Sequence, residues 1–363
     1  MQTPPASPSA PARPRRLRLG PRAAVLLVLA LGAVSEFALT RMGYGNPRLI
    51  RTDERRGYAL VGEQDIAGPH GTVERINAFG FRERDWTGAP TGRPLVVVLG
   101  HSVSYGVGVE AEERWTARLE SRLRAGTAHG ACVLNLAVPG YTLEQMLAVY
   151  DEIARPLAPD VVVAELTAFS IRPMVRLDEP ADFPLSRWIR RTALFDFWRR
   201  KVARVRRDEG LTRQVLDDPA AAANDPLWSA AEERLEGLRD ELATWGARLV
   251  VLHTPSAAQA FAPEMPPTRW SAWCAERPDV IEVDAGAALR ERMRPLTAEL
   301  AARSIDPLMV RGRLAKLDPA QFAERDSACF FLDDLQHLTA LGHGIVGERV
   351  ADALGPLLAP PGR

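Results

Sequence analysis

Cysteine is scarce in this chain: Cys132, Cys274 and Cys329 are the three it has. They are odd in number and far apart, which excludes the short paired spacings of a zinc site and leaves no disulfide framework. They read as buried thiols, with one pair in an oxidising compartment as the alternative. Excess charge is also lacking, because Lys plus Arg and Asp plus Glu number 46 each and the formal net charge at pH 7 is +0. With no global field, nothing points to nucleic acid or to a strongly acidic partner unless a local patch supplies one. What the 363 residues do have is 46% hydrophobic content, enough to bury a sizeable core.

Residues 1 to 16 are rich in Pro, Ala and Ser and offer too little apolar surface to offset chain entropy, so they are expected to be disordered. Arg13, Arg15, Arg16, Arg18 and Arg22 then flank a run from Ala23 to Val34 without a polar side chain, extended through Ser35 and Glu36 to Leu39. A spanning helix needs about 20 apolar residues and a signal-peptide core about 7 to 15. The adopted reading is an uncleaved anchor over 23–42 with the basic tail 1–22 held in the cytoplasm by the positive-inside rule. It makes the chain a single-pass inner-membrane protein with its main domain in the periplasm. The alternative is secretion after cleavage near Ala33-Val-Ser35.

After a polar lead-in over 43–90, short β-branched runs alternate with helical patterns. Strands are predicted over 94–100, 131–138, 161–168, 248–254 and 280–283, each apolar on both faces as a sheet covered on both sides requires. Trp115, Leu119 and Leu123 recur at a spacing of four and mark one helix face. Thr142-Leu-Glu-Gln145 has capping-box spacing at the start of another helix. Leu341, Ile345, Val350 and Leu354 form the stripe of the last. Strand, helix, strand repeated in this way implies right-handed crossovers and a parallel α/β sheet of about five strands with helices on both faces. The domain runs over 91–358, with a helical insertion over 171–245.

Ligands of such sheets bind at the carboxyl ends of the strands. Gly100-His-Ser102 stands at one such end, but it is not the Gly-x-Ser-x-Gly elbow, because Ser104 occupies the place of the second glycine. Far away in sequence, Asp333-Asp-Leu-Gln-His337 opens the final helix and sets Asp334 three residues before His337. A serine hydroxyl needs a base to take its proton, and the base needs an acceptor to fix its tautomer. Ser102, His337 and Asp334 supply those residue types. Each segment alone reads equally well as an ordinary turn or helix start.

Taken together, the segments resemble the SGNH, or GDSL-type, hydrolase family. Gly100-His-Ser102 with Tyr105-Gly-Val-Gly-Val109 is similar to its first block, Asn135-Leu-Ala-Val-Pro-Gly140 to its second, and Asp334-Leu-Gln-His337 with Leu338-Thr-Ala-Leu-Gly342 to its last. Asn77-Ala-Phe-Gly-Phe-Arg82 resembles the lead-in of membrane-anchored bacterial members. The resemblance implies a flavodoxin-like three-layer fold, with Ser102 as nucleophile, His337 as base and later acid, and Asp334 orienting His337. It further implies an oxyanion hole from the backbone N–H groups of Ser102 and Gly140, with no metal or cofactor. Two positions depart from the pattern. His101 stands where the family has Asp. Glu165-Leu-Thr-Ala-Phe-Ser170 replaces a Gly-x-Asn-Asp segment, so Phe169 stands where the oxyanion asparagine belongs and Thr167 or Ser170 is left as a substitute donor.

The implied function is a serine-dependent acyl-ester hydrolase, esterase- or deacetylase-like, acting outside the cytoplasm on an acylated cell-envelope carbohydrate or lipid. One alternative is an O-acetyltransferase of a surface polysaccharide using the same triad. The other is a catalytically impaired glycan-binding module. The segment from Ser186 to Arg207 interleaves nine basic residues with Trp188, Phe195, Phe197 and Trp198. It is read as a solvated helix packed on the domain, with an anionic membrane surface or acidic glycan as the other reading. His253 and His343 are read as structural, and His70 and His129 as loop residues.

Overall fold

The computed structural model describes residues 20–41, 50–68, 72–88, 93–126, 130–174, 192–194, 197, 226–256, 259–260, 268–302 and 337–358. The chain divides into two compact units, Met1–Pro47 with Asp182–Arg206, and Arg48–Ala181 with Arg207–Arg363.

In the first unit, α1 spans Pro21–Arg41 and has no buried residue. Its mean hydropathy of 2.1 makes it long and apolar enough, by length and composition, to cross a membrane. Near its end the Glu36 carboxylate accepts the backbone N–H groups of Ala193 at 2.6 Å and Leu194 at 3.0 Å. This joins the segment around 193 to the helix. Apart from 192–194 and 197, the basic run from Ser186 to Arg207 lies outside the described residues, as do His70, His129 and Cys329.

The second unit begins with two antiparallel hairpins. The first pairs β1 (Ile50–Asp53) with β2 (Gly57–Leu60), and the second pairs β3 (Gln64–Ala67) with β4 (Val73–Ile76). The sequence alone predicts only a polar lead-in here. Four-residue strands are too short for a two-residue period to register, yet they deliver Tyr58, Leu60, Ile66 and Ile76, followed by Phe81, into the core.

The predicted sheet then follows. Its strands are β5 (Leu95–Leu99), β6 (Cys132–Asn135), β7 (Val161–Leu166), β8 (Arg248–His253) and β9 (Ile281–Asp284), all parallel and ordered β6-β5-β7-β8-β9. Counted within this sheet, the order is 2-1-3-4-5, the flavodoxin-like doubly wound arrangement. Every residue of β5 is buried, and alternate side chains feed different cores. Val96 and Val98 pack with Trp115, Leu119 and Leu123 of α3 (Trp115–Gly126) and with Val346, Val350 and Leu354 of the last helix. Leu95, Val97 and Leu99 face the other layer, where α4 (Leu143–Val149), α5 (Pro226–Thr244) and α6 (Arg269–Ala275) contribute Met146, Leu235, Leu242 and Trp270, while Leu289 of α7 (Ala285–Ala302) belongs to the first core. Burial on both faces is why these strands read as continuous apolar runs rather than alternating ones. The Thr142 capping box at the start of α4 is formed, with the Gln145 side chain accepting the Thr142 N–H at 3.1 Å. Cys132 and Cys274 are buried free thiols, and burial pushes the Cys274 thiol up to about 12.

Candidate active site

Ser102 follows the carboxyl end of β5, where the sheet order reverses between β6 and β7 on either side. That reversal is where a doubly wound sheet opens a crevice. The hydroxyl is carried on the first residue of a four-residue helix, α2 (Ser102–Tyr105), which stops at Gly106 in the left-handed region with φ 79°.

The strand ends on glycine because of what stands beside it: a Cβ at Gly100 would lie 2.6 Å from Glu165 Oε2 and 2.8 Å from Ser104 Oγ. Glu165, on β7, is fully buried. Its Oε2 accepts the backbone N–H groups of His101 at 3.1 Å and Ser104 at 3.0 Å, and its Oε1 accepts the Thr254 hydroxyl at 3.1 Å. The loop that carries Ser102 is therefore pinned on both sides of that residue by one carboxylate.

His101 is buried, with Nδ1 3.3 Å from Glu165 Oε1 and Nε2 3.3 Å from Thr167 Oγ1. Burial pushes its imidazole below the ordinary histidine range. Glu165 opposes that shift, and His337 adds to it.

A second layer of support comes from the region read as a lead-in. The Arg82 guanidinium is buried and donates to the carbonyls of Gly106 at 2.6 Å and Val109 at 2.7 Å. Tyr105 lies beside it and donates its hydroxyl to Glu74 at 2.8 Å. Burial first, and Glu74 next, push the Tyr105 phenol well above its usual range, so it stays protonated.

After β6, Asn135 binds the back of the same loop, donating to the Ser104 carbonyl at 2.6 Å and to Thr116 Oγ1 at 3.2 Å. The chain then reaches Gly140, whose φ of 82° favours glycine and where a Cβ would lie 2.8 Å from the Tyr58 hydroxyl. Tyr58 on β2 donates that hydroxyl to the Pro139 carbonyl at 2.7 Å, and Tyr141 returns a bond to the Tyr58 carbonyl at 2.6 Å. The first hairpin thus fixes the loop that presents the Gly140 N–H.

The third segment forms a 3-10 turn over Ala168–Ile171. Thr167 Oγ1 accepts the Phe169 N–H at 3.2 Å, Ser170 Oγ accepts the Thr167 N–H at 3.0 Å, and Ser170 is buried. Both hydroxyl oxygens suggested as substitute oxyanion donors thus accept N–H groups within the turn, and that of Thr167 also meets His101. The Phe169 ring stands edge-on to His101 at 6.3 Å, with the Arg172 guanidinium 5.0 Å above its centroid.

His337 is half-buried and lies close enough to His101 and His343 for its charge to act on both imidazoles. It precedes the last helix, α8 (Ala340–Leu358), rather than opening it as expected. Thr339 starts that helix, its Oγ1 accepting the Gly342 N–H at 3.3 Å as an N-cap does. Asp334 lies outside the described residues. The two histidines read as structural are engaged: His343 Nδ1 accepts the Trp115 N–H at 3.2 Å at the start of α3, and His253 Nε2 stands 3.2 Å from Glu282. Among the described residues, no group of three or more His, Cys, Asp or Glu side chains is placed to hold a metal ion.

Ser102 thus follows the first strand of a parallel sheet ordered 2-1-3-4-5, Asn135 and Gly140 follow its second, and His337 lies ahead of the last helix, the order of segments that the resemblance to SGNH or GDSL-type hydrolases implies. No protein-family model matches the chain. No curated protein matches it either. Several solved structures are similar at low identity. The acetyl xylan esterase AlAXEase is 13% identical, covering 72% of this chain and 99% of its own with a TM-score of 0.41. A catalytic mutant of an acetylxylan esterase from Geobacillus stearothermophilus is 16% identical over 74% of this chain and 96% of its own, with a TM-score of 0.39. A lipase/acylhydrolase from Enterococcus faecalis is 14% identical over 74% of this chain and 100% of its own, with a TM-score of 0.35.

Proposed function

We propose that the chain is a serine-dependent acyl-ester hydrolase in which Ser102 is the nucleophile, His337 the base and Asp334 the group that orients His337. The observation that carries this reading is the pinning of Ser102 at the sheet's switch point. Glu165 holds the backbone before and after it, Arg82 closes the loop behind it, and His337 lies near its neighbour His101.

In this reading Ser102 Oγ attacks the ester carbonyl while its proton passes to His337. The tetrahedral oxyanion is met by the N–H groups of Ser102 and Gly140. Its collapse expels the alcohol, which takes the proton from His337 and leaves an acyl group on Ser102. Water then attacks with His337 again as base, releasing the acid and restoring the hydroxyl.

The substrate class we favour is an acylated carbohydrate or lipid of the cell envelope, reached by tethering through α1 with the sheet domain outside the cytoplasm. A single 21-residue apolar helix supports the tether, and the arginines before it support the orientation. An O-acetyltransferase shares every step up to the acyl-enzyme and differs only in the acceptor. The test is turnover of acetyl esters by the full chain, with and without an added carbohydrate acceptor, beside Ser102→Ala. Release of acetate that disappears in the variant supports the hydrolase. Acetate release that survives in Ser102→Ala refutes it.

A second reading, a catalytically impaired glycan-binding module, is favoured by the third segment, where Phe169 stands in place of an amide donor. It predicts glycan binding without acetate release.

A further inference from the structure

The group at the site that most needs a reason is Glu165. It is a carboxylate with no exposed surface, and among the described residues it accepts two backbone N–H groups and one hydroxyl, with the His101 imidazole 3.3 Å away and no arginine or lysine bonded to it. Burying a carboxylate without a cation is costly, and a neutral side chain of the same shape would fill the space. The hydrogen bonds it accepts explain how the charge is tolerated. Their location explains what it is for, since the two N–H groups belong to the residues that bracket the hydroxyl of Ser102.

The imidazole of His101 extends the argument. Nδ1 stands 3.3 Å from Glu165 Oε1, off the line of a hydrogen bond, yet a carboxylate has only lone pairs to offer and repels an unprotonated nitrogen at that distance, so we take Nδ1 as the nitrogen that carries the proton. Nε2 is then an acceptor, and its partner at 3.3 Å is the Thr167 hydroxyl. That hydroxyl in turn accepts the Phe169 N–H. Among the described residues, the groups that face His101 are Glu165 on β7, Thr167 and Phe169 at the turn that follows β7, and His337 on the segment before α8, which acts on it by charge.

We propose that Glu165 and His101 are a positioning pair for Ser102: the carboxylate fixes the nucleophile loop and sets the tautomer of His101, which locks the Thr167–Ile171 turn against that loop. The proposal rests on Ser102 being the nucleophile. It makes the two departures from the family pattern, histidine at 101 and the altered third segment, parts of one arrangement. Neither residue touches the substrate in this account.

The test uses the full chain and four variants: Ser102→Ala, Glu165→Gln, His101→Asp, and the double variant His101→Asp with Glu165→Gln. Glu165→Gln keeps one oxygen for the backbone N–H groups but turns an amide N–H₂ toward His101. It is expected to lower kcat for a small acetyl ester by about 10- to 100-fold while KM moves by less than about threefold. His101→Asp sets a second carboxylate against Glu165 and is expected to lose at least as much, with its activity shifted toward acidic pH, where one of the two is protonated. The double variant removes one of those charges, so its loss is expected to be smaller than the product of the two single losses by about tenfold or more.

A double variant whose loss equals that product overturns the pairing. So does a wild-type protein whose His101 shows the Nε2–H tautomer by imidazole ¹⁵N NMR, a readout that needs no variant to fold. Loss of turnover in Ser102→Ala with either of those results leaves the hydrolase standing and removes the pair. Full turnover in Ser102→Ala removes the hydrolase instead, while the His101 tautomer still reports on the pair.

Discussion

Arg82 holds Gly106: its guanidinium reaches that residue's carbonyl at 2.6 Å and, with its other nitrogen, the carbonyl of Val109 at 2.7 Å. The motif that looked in sequence like a lead-in therefore closes the loop behind Ser102. Lysine offers one point charge where the two carbonyls need a fork. Arg82→Lys is expected to lower stability by about 1–3 kcal/mol, measured by urea unfolding, and to lower kcat further as the loop slackens.

His343 gives the protein a calculable acid sensitivity. Burial, with Arg114 next and Arg82 and His337 after it, pushes this imidazole down to about 3, while Nδ1 accepts the Trp115 N–H. In the unfolded chain it titrates near 6.5, so as pH falls below that value the unfolded state takes up a proton that the folded state refuses. This group's contribution to stability is therefore complete above about pH 6.5 and declines toward pH 3. His343→Gln is expected to remove about 2 kcal/mol of the stability difference between pH 7 and pH 5, read from denaturation curves at the two pH values.

Gly140 has no room for a side chain. With φ 82° and the Tyr58 hydroxyl 2.8 Å from where a Cβ would stand, Gly140→Ala strains the backbone and displaces the hairpin that supports it. The expected cost is about 1–3 kcal/mol in unfolding experiments. Because the N–H of Gly140 is one of two proposed oxyanion donors, the rate is expected to fall on the order of 10²-fold, with KM for a small ester little changed.

Tethering through α1 predicts fractionation. The full chain is expected in the membrane pellet after a high-pH carbonate wash, and a chain beginning after Arg41 in the supernatant. A full chain that washes off contradicts an anchor. A mature protein whose N-terminus follows Ser35 indicates cleavage instead.

The sheet was legible in the sequence, since runs such as Leu95–Leu99 and Val161–Val163 are apolar without interruption, and interior strands covered on both faces must be. The stripe of Trp115, Leu119 and Leu123 was equally plain, because all three bury against the sheet. Ser102, Gly140 and His337 were placed by motif; in the structure Ser102 follows the sheet's first strand, Gly140 follows its second, and His337 precedes the last helix.

The hairpins over 50–76 were not legible, being four-residue strands whose burial depends on partners the sequence does not name. The roles of Glu74, Arg82 and Glu165 were missed for a related reason. Charged residues read as surface until the distant carbonyls and N–H groups they bind are known. Arg82 did carry a signal, since it closes the Asn77–Arg82 segment already singled out, but nothing local marked it as buried. The start of α8 was misread because the aspartates at 333 and 334 resemble a helix opening, while the cap itself is Thr339.

The central claim is that the Ser102 hydroxyl is activated as a nucleophile. A fluorophosphonate reacts with an activated serine and forms a stable adduct, so it reads activation without knowledge of the natural substrate. The account predicts stoichiometric labelling of the wild type, mapped to Ser102 by peptide mass, labelling slowed by orders of magnitude in His337→Ala, and none in Ser102→Ala. A folded wild-type chain that takes up no label, or one labelled as fast in Ser102→Ala, contradicts it.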